Sequence, residues 1–511
     1  MIFGGGYLEF PNDTVLYKMN VTSVYPNADQ RQLMFFTFWN IVNYFNPNNY
    51  ILDIPWDTTL YNNVTVMDVV SDGQSLSSLY TRIEALLDDD HVFDLSYSRY
   101  YQRVPGVLVP QLRLKYVDSE YVVTRSGEAG ISPGDVIISI DGMTTKQWED
   151  SLKPYFSVGN LSGFRNYMDY YLLGREMYGT TEGIVIQDST GTNNRIAVKC
   201  LHTGSEVFFT SWYYPADSLD AIEWTTMGCD VGYANMANLL PADVPAMYSA
   251  LQDKSAIILD LRNYPQGYTI ADIAQLMYPN YICNTVLLLP DITYPGTYSA
   301  SYGYSGVNGN PTQYYGQVII LINEVSVSYA EFSAMILGAI PGAIKVGSQT
   351  QGADGDVTFF SISNDLQFGF SSLGVFYPNG DSTQRIGIVP DSVVYPTRSG
   401  IRHSDDEVLD KALRIAGCGL ATPDVQANKT AVSVFPNPAN DVMNITAKGI
   451  NANEVNIELT DITGRILLQK EVKTNGGNIA TTFTVKGLSS GMYFVTLHAA
   501  EQQFTRKIIK E

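Results

Sequence analysis

The strongest constraint in this chain is a buried strand that turns at once into a helix. Val318, Ile319, Ile320, Leu321 and Ile322 form an unbroken apolar, largely β-branched run, which breaks at Asn323-Glu324. From Ser328 onward Phe332, Met335, Ile336 and Ile340 recur at roughly helical spacing. A serine therefore sits at a strand-to-helix turn with free backbone N–H groups just behind it. That geometry can expose a nucleophile and stabilise an oxyanion. Ser328-Tyr329-Ala330-Glu331 also reads as a capping box, in which the glutamate at N3 reaches back to the serine. The rest of the chain must decide between the two readings.

At 511 residues the chain exceeds one core, and about three or four domains are expected. A hydrophobic content of 45% and 35 tyrosines supply ample core material. Charged residues make up only 16%, and the net charge is −21, which argues against nucleic acid and anionic membrane as partners. No run approaches the ~18 apolar residues of a membrane-spanning helix. Cys200, Cys229, Cys283 and Cys418 lie far apart with no C-x-x-C pair, so thiolate metal binding is not expected and pairing stays open. The first residues, MIFGGGYLEFPNDT, carry neither a basic nor an apolar leader region.

The patterning predicts a multidomain α/β chain. Residues 1–100 read as an N-terminal helical domain, with Phe35, Trp39, Val42 and Phe45 on one apolar face and Leu76, Leu79, Ile83, Leu86 and Leu87 on another. Residues 101–205 are β-rich, with Ile137–Ile140 running into an Asp141-Gly142 turn. Residues 206–418 alternate strands (256–261, 286–289, 318–322 and 343–346) with helices around a central sheet. Residues 419–430 are a polar linker, and 431–511 carry short alternating strands at 455–459, 466–468, 481–485 and 493–497, an Ig-like β-sandwich.

Seven motifs in one order carry a resemblance over roughly residues 30–416: WNIVNYFNP from Trp39, LLDDDHV from Leu86, GISPGDVIISIDG from Gly130, AIILDLRNYPQG from Ala256, SVSYAE from Ser326, KVGSQTQG from Lys345 and RIGIVPD from Arg385. The chain resembles the serine peptidase family of the C-terminal processing peptidases and tricorn-core proteases. The resemblance implies a PDZ-like domain at 101–205, a crotonase/ClpP-like core at 206–418 and Ser328 as nucleophile. The tail pieces VFPNPAND, LTDITGRIL, LSSGMYFVTL and TRKIIK are similar to the sorting domain that Bacteroidetes attach to type IX secretion cargo. That implies passage through the periplasm to the cell surface or medium, with the type IX machinery as a partner. Such cargo needs an export signal, so Met1 is expected to be internal to a longer precursor.

A serine hydroxyl needs a base. The family offers a lysine after the nucleophile helix or a histidine from the N-terminal helical segment. The stretch Gly347–Asp354 has no lysine, and Lys345 on the preceding strand reads as a strand-edge or solvent-facing residue. Of the four histidines, His498 falls in the tail, His403 in a polar turn and His202 at the end of the PDZ-like segment; His91 ends the D-x-H element Asp89-Asp90-His91. The expected base is His91, whose ordinary pKa suits neutral pH. Histidine-type relatives place a glutamate where this chain has Gln384, which brings no charge; Asp381 is a nearby substitute, and Asp90 orients His91 only if it reaches the ring. The oxyanion hole should join the Tyr329 N–H to that of Gly267, in a Pro265-Gln266-Gly267 turn where relatives carry two glycines. A non-glycine at Gln266 would be strained if that position needs φ > 0.

The expectation is an exported serine endopeptidase that acts on unfolded or C-terminally exposed polypeptides, held by strand addition to the PDZ-like module. No metal or cofactor is implied, since there is no H-E-x-x-H and no P-loop. A peptide-binding pseudopeptidase is the competing class, favoured by Gln266 and Gln384. A Ser–Lys peptidase using Lys345 is a further alternative.

Overall fold

A computed structural model describes residues 25–92, 108–175, 177–203, 223–227, 229–265, 267–311, 313–362, 367–418, 431–435, 439–448, 450, 452–461, 465–475, 477–489, 491–499 and 502–510. Gln266 and the 419–430 linker lie outside them. The chain divides into two compact units, Met1–Leu420 and Ala421–Glu511.

In the first unit the strand expected at Val318–Ile322 is the centre of a six-stranded sheet. Its neighbours run in the order Ser392–Val393, Ile344–Gly347, Gln317–Ile322, Ala256–Asp260, Val231–Asn235 and Trp224–Met227. All pairs are parallel except the last. Spatial order thus repeats chain order, so each crossover steps the same way. Parallel crossovers are right-handed in nearly all proteins, which puts successive connecting helices on one face. Val244–Leu251, Ile270–Met277 and Tyr329–Gly338 do share one core, with Ile257, Leu259, Val318, Ile320 and Ile322 beneath them. The opposite set, Ile258, Ile319, Leu321 and Val346, packs on Val408, Leu409, Ala412 and Leu413 of the C-terminal helix Glu407–Ile415. Burial on both faces explains why these strands read as unbroken apolar runs. Each fully buried aliphatic side chain contributes about 1.5–3 kcal/mol.

The pairing that the sequence left open joins Cys229 to Cys418, with Cα atoms 5.5 Å apart across 189 residues of chain. It ties the turn before the Val231–Asn235 strand to the end of the C-terminal helix. Closing so long a loop restricts the unfolded chain, worth about 2–5 kcal/mol. Reduction, or a Cys229→Ser/Cys418→Ser double change, is therefore expected to lower the urea-unfolding free energy of this unit by that amount. An unchanged midpoint would contradict the assignment.

The N-terminal helices, led by Ala28–Phe45 behind its Asn27 cap, bury Phe35, Phe38, Tyr80 and Ile83. Their core is completed by Phe360, Phe368 and Phe370 from the hairpin Val357–Ser361/Gln367–Ser371. The Phe38 and Phe368 rings are tilted at 44° with centroids 4.8 Å apart. This shared core docks the segment that ends in His91 against the hairpin that ends in Ser371.

The β-rich segment forms an antiparallel sheet ordered Leu112–Val117, Glu120–Ser126, Val136–Ile140, Thr181–Gln187 and Asn193–Lys199. The Asp141-Gly142 turn has both residues at positive φ, 50° and 83°, as a two-residue hairpin requires. Two helices that the sequence reading passed over, Thr145–Leu152 and Leu161–Tyr171, complete its core through Leu152, Phe164 and Met168.

The second unit packs sheets of three and four strands around Met443, Ile445, Ile457, Leu459, Val495 and Leu497. Its strands include Glu454–Asp461, Ile466–Lys473, Ile479–Thr484 and Gly491–Ala499.

Candidate active site

The turn that carries Ser328 begins where the Gln317–Ile322 strand ends. Asn323 and Ser326 fold the chain back: the Ser326 hydroxyl accepts from the Asn323 N–H at 3.1 Å and donates to the Leu261 carbonyl at 2.8 Å. Ser328 follows with φ 57° and ψ −122°. A side chain in that region costs about 1–3 kcal/mol and persists only where its surroundings enforce it. An ordinary helix cap has no such need: Asn27, capping the Ala28–Phe45 helix, sits at φ −71° and ψ 173°. The capping box is present, but it does not account for this backbone.

Glu331 is what enforces the turn. Fully buried, it accepts the Ser328 N–H at 3.2 Å, the Gly352 N–H at 2.7 Å and the Ala353 N–H at 2.9 Å, and the Thr350 hydroxyl as well. The Ser328 N–H is shared with the Ala353 carbonyl at 3.1 Å. Burial pushes the Glu331 carboxyl up to about 7, against the pull of these donors. Tyr264 stands beside the turn. Burial raises its pKa, and hydrogen bonds with the Ser328 hydroxyl and the Tyr329 N–H partly offset that rise. Nothing in the sequence reading singled out Tyr264, although it lies inside the AIILDLRNYPQG motif.

His91 is brought in by the N-terminal helices, and it is 4% exposed. The other three histidines are not buried: His403 ends the short helix Arg398–His403 rather than lying in a turn, His202 is half-buried and His498 is 40% exposed beside Glu458. Burial holds the His91 imidazole below its ordinary pKa, with the Asp89 charge pulling the other way. Its Nδ1 lies 2.8 Å from the Ser371 hydroxyl oxygen. That hydroxyl donates to Asp89 Oδ1 at 2.9 Å, and the Ser371 N–H donates to Oδ2 at 2.7 Å. The His91 N–H and the Gln384 amide also donate to Asp89 Oδ1, at 3.0 and 3.2 Å.

Three residues weighed as a third member of the site have other partners. Asp90 does not reach the His91 ring: its Oδ2 accepts the Gly159 N–H at 2.6 Å, and burial raises its pKa well above the carboxylate range. Asp381 is no substitute partner, being exposed in a surface turn bonded to Asn379. Gln384 serves Asp89 rather than the imidazole. Asp89 and Ser371, both missed, lie 282 residues apart in the chain. Lys345 is held by Asp391, Nζ to Oδ2 at 2.8 Å. The question of strain at Gln266 falls outside the described residues. Gly267 is needed for close approach, since a Cβ there would stand 2.5 Å from the Leu239 carbonyl oxygen.

The two halves of the site meet at Gly159, from the β-rich segment. A Cβ there would stand 2.7 Å from the Gly352 carbonyl oxygen and 3.1 Å from Asp90 Oδ2. The loop that fixes Ser328 and the loop that carries His91 are therefore neighbours. A constrained serine, its helix-start N–H groups and a buried neutral imidazole are the parts of a serine acyl-transfer site.

Residues 230–394 match the model of peptidase family S41, and residues 433–511 match that of the secretion system C-terminal sorting domain. Among solved structures, mature CPAF is similar at a TM-score of 0.59 and 12% identity, over 77% of this chain and 99% of that one. Mature CPAF complexed with lactacystin gives 0.57 at 12% identity, over 76% and 98%. The photosystem II D1 C-terminal processing protease is more distant, at 0.43 and 16% identity, over 76% and 98%. At these identities the likeness speaks for the fold alone. No curated protein matches the chain.

Proposed function

We propose that this chain, whose residues 230–394 match the model of peptidase family S41, is an exported serine peptidase that hydrolyses unfolded or C-terminally exposed polypeptides through Ser328 and His91. The observation that carries the reading is the backbone of Ser328, held at φ 57° where a cap alone would be extended. His91 takes the Ser328 proton as the hydroxyl oxygen attacks the scissile carbonyl carbon. The oxyanion that forms is held by the N–H groups of Tyr329 and Gly267. His91 then returns the proton to the leaving amine, and water repeats the sequence on the acyl-enzyme. The sheet of 112–199 serves as the PDZ-like module that receives substrate by strand addition.

The sorting-domain match at 433–511 supports secretion through the type IX machinery to the cell surface or medium. The Cys229–Cys418 bridge fits an oxidising compartment. Among the described residues no helix is long and apolar enough to cross a membrane.

The test is cleavage of unfolded casein by the wild type and by Ser328→Ala across pH 5–9. Activity should vanish in the variant. Because burial holds the imidazole below its ordinary value, the acid limb of kcat/KM should fall below pH 6.5. Equal, negligible turnover in both proteins would instead mark a peptide-binding pseudopeptidase.

A further inference from the structure

We propose that Asp89 and Ser371 are positioning residues that fix the tautomer of His91, the task that a glutamate at position 384 would otherwise be expected to serve. The inference rests on His91 being the base. Asp89 collects four donors: the N–H groups of His91 and Ser371, the Ser371 hydroxyl and the Gln384 amide. A carboxylate so surrounded is an acceptor on every side. The one Ser371 hydroxyl proton is therefore committed to Asp89 Oδ1.

What remains at the Ser371 oxygen is lone-pair density, and His91 Nδ1 lies 2.8 Å from it. Only an Nδ1–H can satisfy that contact. The reverse arrangement would turn the hydroxyl proton toward Nδ1 and leave two bare oxygens facing each other at 2.9 Å. A neutral His91 thus carries its proton on Nδ1 and presents an unprotonated Nε2, the form a general base requires. When Nε2 takes the Ser328 proton, the Nδ1 proton stays where it is. The negative charge of Asp89 then acts on the imidazolium across one hydroxyl. No proton travels along the chain.

Gln384 fits the same arrangement. Its amide nitrogen donates to Asp89, while its Oε1 is buried with no hydrogen-bond partner among the described residues. A glutamate there would set a second carboxylate 3.2 Å from Asp89. Like charges so close resist joint ionisation. Asp89 would then be driven towards protonation, or the side chains apart, and the hold on Ser371 lost.

The experiment begins with the wild-type protein labelled with ¹⁵N-histidine, whose four imidazoles are resolved by comparison with His91→Gln. The resting enzyme should show His91 as the Nδ1–H tautomer at neutral pH; an Nε2–H tautomer overturns the proposal without any variant. Ser371→Ala should lower kcat by on the order of 10²-fold with KM little changed, and should shift the His91 tautomer signals. Ser371→Thr, which keeps the hydroxyl, should restore both. Gln384→Glu, although it installs the residue of histidine-type relatives, should lower kcat rather than raise it. Unchanged kcat in Ser371→Ala, or a gain in Gln384→Glu, overturns the positioning role. If Ser328→Ala is as active as the wild type, the failure belongs to the peptidase reading instead.

Discussion

His91→Ala is expected to lower kcat/KM on an unfolded polypeptide by roughly 10⁴–10⁶-fold, the scale seen when a serine peptidase loses its base. The reason is local. His91 is the one buried histidine among the described residues, and its Nδ1 is occupied by Ser371. Lys345, the other base the sequence offered, has its ammonium held 2.8 Å from Asp391. Lys345→Ala should accordingly keep activity within a few-fold, about the tolerance of a surface ion pair. The opposite pattern, with His91→Ala active and Lys345→Ala dead, would move the chain to the Ser–Lys class. The pH profile adds a sign. A buried imidazole with depressed pKa contributes stability above its unfolded value of 6.5 that is lost as pH falls through the folded value. The wild type should therefore lose stability relative to His91→Ala on acidification below pH 6.5.

The second large effect is expected at Glu331. Glu331→Ala removes the acceptor of three backbone N–H groups and one hydroxyl in a fully buried position. Ser328 retains the Ala353 carbonyl as a partner, but the Gly352 and Ala353 donors lose theirs. Each orphaned buried donor costs about 1–3 kcal/mol, so a loss of roughly 3–5 kcal/mol in unfolding free energy is expected. The strained turn at Ser328 relaxes with it, so activity should fall by far more than the stability loss alone explains. Burial raises Glu331 from 4.5 to about 7, so the folded protein holds that proton more tightly than the unfolded chain. Its contribution is fully present below the unfolded value and is lost as pH rises through the folded one. The stability gap between wild type and variant should narrow from pH 4.5 to about 7. Urea unfolding at three pH values measures it, and a gap that widens over this range contradicts the burial of Glu331 as an acid.

How much of this was legible depended on the reach of each signal. The strand at Gln317–Ile322 and the helix at Tyr329–Gly338 were readable because both are written in adjacent residues. The Asp141-Gly142 turn was readable for the same reason. Ser328 and His91 were singled out only through motif order, since a serine at a helix start and a histidine after two aspartates are locally ordinary. The strain that separates Ser328 from a plain cap is a backbone angle and leaves no mark in composition. The partners of His91 were not legible at all. Asp89 is two residues away, yet its role depends on Ser371, delivered by a hairpin 282 residues later. Gln384 was singled out, but a residue type cannot show that its amide serves Asp89. The Cys229–Cys418 pair joins points 189 residues apart for which spacing gives no clue.

The most direct measurement is reaction of the purified protein with a fluorophosphonate probe at pH 7, followed by mass spectrometry of the labelled peptide. The expected result is one phosphonyl group on Ser328, absent after His91→Ala and slowed after Ser371→Ala. No labelling of Ser328 in folded wild-type protein, or equal labelling with His91 replaced, would contradict a serine primed by this histidine.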